Sequence, residues 1–299
     1  MRNLCLVPIL ASLVAAPAQS QTAALEAALR ARIALDTALV AVAYYDPVTR
    51  DTLLLDGLRR YHAASTMKVP VLIELARRVD AGEFRWDQTI LVRNSFRSIV
   101  DGSEYQLNLA DDSDSSLYAE EGHELSIDRL ARLMITRSSN LATNLLITRL
   151  DPARVNATAH GLGADSILVL RGVEDGKAFE RGLNNTTTAR DLALLLDAIA
   201  RGRAATRPGC DRMLDYLLAQ EFNNGIPAGL PPGVKVAHKT GDITGASHDA
   251  AIVYPQGRGP YVLVVLTKGY NKQADAERLM ADLSRLVYGW ATRRPDPHE

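Results

Sequence analysis

Apolar and polar positions follow two rhythms along this chain. Over 22–34 ("TAALEAALRARIA"), 126–137 ("SIDRLARLMITR"), 189–202 ("ARDLALLLDAIARG") and 271–293 the apolar residues recur every three or four positions, the spacing of one buried helix face. Ser126 is placed to cap the second of these helices, and Gly202 to end the third. A different rhythm runs through "TALVAVAYYDPVTRDTLLLD", which predicts two strands about a turn at Asp46-Pro47. Three more strands are predicted in succession by "GVKVAHKTG", "SHDAAIVYP" and "GPYVLVVLTKG". From Ser65 to about Ala204 the signals are mainly helical. Strands this far apart in sequence can share one sheet, so the expected fold is α/β in the broad sense (α+β). It is a helix-flanked antiparallel sheet (21–64 and 205–299) packed on an inserted all-helical lobe (65–204), together one domain over 21–299. The junction of two such lobes is a common place for a pocket.

The first twenty residues break the pattern. They have a basic start at Arg2, an apolar stretch from Leu4 to Ala16, and small residues at Ala16, Ala18 and Ser20. This predicts a signal peptide over 1–20, cut after Ala18 or Ser20, and hence an exported protein, periplasmic or secreted. Cys5 would leave with it, so Cys210 is the one cysteine of the mature chain and no internal disulfide is expected. The formal net charge is −1, without the basic stripe of a nucleic-acid binder, and no second apolar run reaches membrane length. The expectation is a soluble monomer without a membrane anchor once the signal is removed. Segment 101–122 holds seven acids and no bases, which favours a solvated loop, and it lacks the spacing of a calcium-binding EF-hand.

Candidate chemistry begins where an apolar run carries a cation. In "YHAASTMKVPVL" (61–72), Ser65 and Lys68 are three residues apart, so on a helix hydroxyl and amine share one face. Only 6 of the 34 basic residues are Lys. A Lys can lose its proton when desolvated and Arg effectively cannot, so the few lysines are informative. Ser138 and Asn140, in "MITRSSNLATNLL", fall between two apolar helices, where a hydroxyl and an amide can face a cleft. Lys239-Thr240-Gly241 lies early in a predicted strand. Lys239 and Thr240 could hold an anion, and Gly241 allows a close backbone approach. The six His show no metal-site spacing. Neither a metal nor another cofactor is expected.

In order and spacing these elements resemble the S-x-x-K, S-D-N and K-T-G set of class A β-lactamases and penicillin-binding proteins. "NNTTTARDLALLL" is similar to the same family's Thr-rich entry to a later helix. The resemblance implies the two-lobed fold above and a serine hydrolase acting through a covalent acyl-Ser65. Lys68 would orient or deprotonate Ser65, and Ser138 would pass a proton to the leaving nitrogen. Asn140 would contact the substrate amide and Lys68, while Lys239 and Thr240 would bind a substrate carboxylate. An oxyanion hole would use the N–H of Ser65 and one from 241–247. Glu180, in a literal E-x-x-L-N match at 180–184, would activate the deacylating water, with Glu174 and Asp175 as other candidates. Two departures stand out. Ser139 replaces the family's usual Asp, and Pro70 predicts a kinked start to the Ser65 helix unless the Thr66 carbonyl finds another donor. The leading expectation is a β-lactamase opening a small-molecule β-lactam amide. A D-alanyl carboxypeptidase or esterase on the same scaffold, and a non-catalytic binder of cell-wall peptides, are the alternatives.

Overall fold

The computed structural model describes residues 22–293; the predicted signal peptide lies outside the described residues. In chain order α1 (Ala23–Ile33) is followed by β1 (Leu39–Tyr45), β2 (Thr52–Leu55) and β3 (Tyr61–His62). A 3₁₀ turn (Ala64–Met67) then leads into α2 (Lys68–Asp80). Next come β4 (Thr89–Leu91), β5 (Phe96–Arg97), β6 (Glu104–Tyr105), a 3₁₀ helix (Ser115–Glu120), β7 (Glu124–Ser126), α3 (Ile127–Thr136), α4 (Asn140–Ile147) and α5 (Pro152–Gly161). α6 (Gly176–Glu180), β8 (Thr186–Thr187), α7 (Ala189–Ala200) and α8 (Arg207–Leu218) follow. The chain ends in a 3₁₀ turn (Ile226–Gly229), β9 (Lys235–Ile243), β10 (Ala246–Tyr254), β11 (Tyr261–Lys268) and α9 (Gln273–Ala291).

Five strands form one antiparallel sheet in the order β2-β1-β11-β10-β9. Both faces are covered, which is why β11 reads as an apolar run from Tyr261 to Leu266 and every residue of β10 but the last is buried. Alternation assigns Val40, Val42 and Tyr44 of β1 to a core shared with α1 and α9. Ala41 and Ala43 join the larger core built with α2, α3 and α7. In β9, Ala237 belongs to that larger core, so Lys239 and Gly241 share its face while His238 takes the opposite one.

Three differences from the sequence expectation concern the middle of the chain. Two-stranded ribbons β3-β8, β4-β7 and β5-β6 interrupt the block expected to be all helical. Their strands, two or three residues long, are too short for alternation to be read. α8, which the sequence groups with the sheet, packs on α2, α3 and α7 as well as on β9 and so bridges the two lobes. Pro70 is the third residue of α2, because the α-helix proper begins at Lys68 after the 3₁₀ turn. A first-turn N–H has no helical acceptor, so its absence from Pro70 leaves no bond broken.

The acidic segment is more than a solvated loop. Asp114 is buried and caps the 3₁₀ helix through the Ser116 N–H at 3.2 Å. Asp112 reaches the N-terminus of α4. Ser126 caps α3 through the Arg129 N–H at 3.2 Å, as its position predicts.

Candidate active site

The site is assembled where the 3₁₀ turn, the α3–α4 joint, the 171–185 loop and edge strand β9 meet. Ser65 is partly exposed on the 3₁₀ turn, and Ala64 before it takes the left-handed conformation at φ 45°. That conformation is unfavourable for a residue with a Cβ. The Ala64 N–H donates to His62 Nδ1 at 3.0 Å and the Thr66 hydroxyl to the Ala63 carbonyl at 2.5 Å, which hold the turn. Gly241 lies against it. A Cβ at 241 would come within 2.9 Å of the Thr66 nitrogen and 3.0 Å of the Ser65 nitrogen. The close approach that Gly241 permits is therefore that of the Ser65 turn itself.

Lys68 is fully buried one turn further along. Its Nζ donates to the Ser138 carbonyl at 2.6 Å and to Asn140 Oδ1 at 3.0 Å, and lies 3.2 Å from Ser138 Oγ. Both carbonyl oxygens are pure acceptors and take two N–H groups. Burial first, and then the Lys239 charge, push the Lys68 amine well below its ordinary range; Asp112 and Glu174 oppose this. Lys239, also fully buried, donates to Ser138 Oγ at 3.0 Å and to the Thr240 carbonyl at 2.8 Å. Burial lowers it to about 7, against the pull of Asp242 and Asp249. Ser138 Oγ thus sits between two lysines, in a residue whose own backbone is left-handed at φ 56°.

Asn140 is oriented from both ends. Its Oδ1 accepts from Lys68, and its Nδ2 donates to Glu174 Oε1 at 2.7 Å. Glu174, half-buried and left-handed at φ 61°, also accepts from the Asn108 N–H at 3.2 Å. Burial raises its carboxyl above the usual range. The loop that carries it is pinned by Asn144, whose Oδ1 accepts from the Val173 N–H at 2.7 Å while Nδ2 donates to the Val173 carbonyl at 3.0 Å. Ser65, Asn140 and Glu174, with His62, Arg171, Phe179 and Ile243, line a cleft of about 510 Å³.

The structure brings Ser65, Lys68, Ser138, Asn140, Lys239 and Gly241 to one place and corrects two expectations. Glu180 is not at the site: it ends α6, is exposed, and does not line the cleft. The Asp175 cap on the Ala178 N–H sets α6 so that its last residue faces solvent, and Leu183 of the same match is exposed as well. The carboxylate at the cleft is Glu174. Asp175 is committed to the Ser98 hydroxyl and the Ile99 N–H, both at 2.9 Å. Thr240 offers its carbonyl to Lys239, and its side chain falls on the other side of the strand from Lys239 with no hydrogen bond of its own. Asn144 went unread, although its place four residues after Asn140 on one helix marks it. Among the described residues no group of three His, Cys, Asp or Glu side chains converges as a metal ion requires.

The family model described as the Beta-lactamase enzyme family matches residues 24–291, and the chain belongs to that family. Among curated proteins it is 29% identical over 169 residues to the carbapenem-hydrolyzing beta-lactamase KPC of Klebsiella oxytoca, across 54% of this chain and 58% of that protein. The chain thus spans little more than half the length of the curated relatives it matches. Solved structures align more fully. The beta-lactamase from Sphaerobacter thermophilus superposes with a TM-score of 0.78 at 29% identity, covering 92% of this chain and 99% of that one. A mutant of PBP-A, solved as its acyl-enzyme complex with penicillin G, gives a TM-score of 0.77 at 26% identity over 91% and 97% of the two chains.

Proposed function

We propose that this protein is an exported serine hydrolase that opens the β-lactam amide through an acyl-enzyme on Ser65. The observation that carries the reading is the buried Lys68, three residues after a cleft-lining serine and bonded to both Ser138 and Asn140. In its amine form Lys68 takes the Ser65 proton as Oγ bonds to the β-lactam carbonyl carbon. The Ser65 N–H, with a second from the 241–247 segment, stabilises the oxyanion. The C–N bond breaks as the proton passes from Lys68 through Ser138 Oγ to the leaving nitrogen, and Lys239 favours an anionic substrate. A water then adds to the acyl carbon and gives a proton to Glu174; the acyl carbon–Oγ bond breaks as that proton returns to Ser65 Oγ, which frees the acid product and restores the Glu174 carboxylate. The PBP-A acyl-enzyme complex supports the first half of this sequence by similarity of fold. Export to the periplasm or medium is supported by the composition of residues 1–20.

A second reading, D-alanyl carboxypeptidase or esterase, is favoured by one observation. Glu180 is out of reach, and both oxygens of Glu174 already accept protein donors. A stopped-flow assay with a chromogenic cephalosporin, with intact-mass analysis of quenched samples, tests both. Turnover with a transient adduct absent from Ser65→Ala is expected. A stable adduct would favour the second reading, and an unlabelled Ser65 would sink acyl transfer altogether.

A further inference from the structure

The first turn of α4 leaves four N–H groups without helical acceptors, and the structure accounts for each. The Ser139 N–H donates to the Leu133 carbonyl at 3.2 Å and the Ala142 N–H to Ser139 Oγ at 3.2 Å. The other two go to a carboxylate that is distant in sequence. The Asn140 N–H lies 2.9 and 3.0 Å from the two oxygens of Asp112, and the Leu141 N–H donates to Asp112 Oδ2 at 2.9 Å. Asp112 is itself held by the Tyr118 hydroxyl and the Asp114 N–H, both at 3.1 Å.

The resemblance of this chain to its family places an Asp at 139, where the sequence has Ser. The Ser139 hydroxyl reaches only the Ala142 N–H and brings no charge. We propose that Asp112 is a positioning residue: supplied by the acidic 101–122 segment, it provides the carboxylate position 139 lacks and holds Ser138 and Asn140 against Lys68. It clamps the backbone N–H of Asn140, whose Oδ1 and neighbouring Ser138 carbonyl are the two acceptors of Lys68. The joint it holds includes the left-handed Ser138, a conformation that persists only where surrounding bonds impose it. Its charge also acts on Lys68 directly, with Glu174 and against Lys239.

The effect on acylation rests on the Ser65 reading; the effect on Lys68 does not. Two readouts separate them: the rate of Ser65 labelling by a fluorescent penicillin, and the Lys68 titration followed by lysine-selective carbon NMR. Asp112→Ala is expected to label about 10²-fold more slowly, the scale of a misplaced reacting group. Its Lys68 should titrate at lower pH, because one of the two anions that stabilise its charge is gone. Asp112→Asn, which keeps the shape without the charge, should move the Lys68 titration the same way. The deciding variant is Asp112→Ala with Ser139→Asp, which returns a carboxylate to the same helix end and should recover both readouts. The proposal is overturned if Asp112→Ala leaves the Lys68 titration in place, or if the folded double variant recovers neither readout. If the parent is never labelled, the acyl-serine reading fails and the NMR arm still decides the role of Asp112.

Discussion

His248 makes the stability of this protein depend on pH in a calculable way. It is buried on β10, with Nε2 donating to the His62 carbonyl at 2.9 Å and Nδ1 accepting from the Thr267 N–H at 3.2 Å. Those two bonds admit one neutral tautomer, because a proton on Nδ1 would face the Thr267 N–H. Burial, offset only in part by the bond to the His62 carbonyl, brings the ring from 6.5 down to about 4. The unfolded chain therefore binds the proton first as pH falls. The stabilising contribution is complete above 6.5 and drains away toward 4. Between about pH 7.5 and about pH 5 the loss comes to about 2 kcal/mol. Urea unfolding of the parent and of His248→Gln at the two pH values isolates it, because the carboxylates that titrate nearby are common to both. Gln retains a donor for the His62 carbonyl and has no proton to gain. The parent is expected to lose about 2 kcal/mol more than the variant over this interval. Parallel losses would refute the assignment of a buried neutral ring.

Other outcomes follow from the site. Gly241→Ala drives a Cβ into the backbone of Ser65 and Thr66; labelling of Ser65 should slow by about 10²-fold with the fold retained, as checked by circular dichroism. Glu174→Gln should accumulate acyl-enzyme in the mass assay, whereas Glu180→Gln, on the exposed end of α6, should leave turnover unchanged. Asn144→Ala removes the acceptor of the half-buried Val173 N–H and leaves the Val173 carbonyl with only the Tyr105 hydroxyl, at 3.3 Å. It should cost about 1–2 kcal/mol in urea unfolding and reduce deacylation more than acylation, since it frees the loop that carries Glu174.

The sheet was largely legible, because β1, β10 and β11 are apolar enough to announce themselves as strands. The lysines of the site were legible because Lys is scarce in this sequence, Lys68 interrupts an apolar run, and Lys239 opens a Lys-Thr-Gly triplet. Glu174 was only one of three carboxylates on offer. Its placement depends on a left-handed backbone and on the Asn144 clamp, neither of which spacing reveals. A literal motif match pointed to Glu180 instead, and the helix cap at Asp175 is what turns that residue outward. Asp112 was hidden by its neighbours, since seven acids in one segment read as solvation until the fold brings one of them to the Asn140 N–H.

The register of the sheet also says something about time. Leu39 of β1 pairs with Lys268 of β11, and Arg32 of α1 bonds Asp282 of α9. A ribosome makes the first partner of each pair long before the second. β1 and β2 must then wait without β11 and α9, and a two-stranded ribbon is marginal in water. Until residues beyond 268 have emerged, the nascent chain has no completed sheet to lock. Pairing this distant in sequence is slow to form, and the apolar strands are open to chaperones for the same interval.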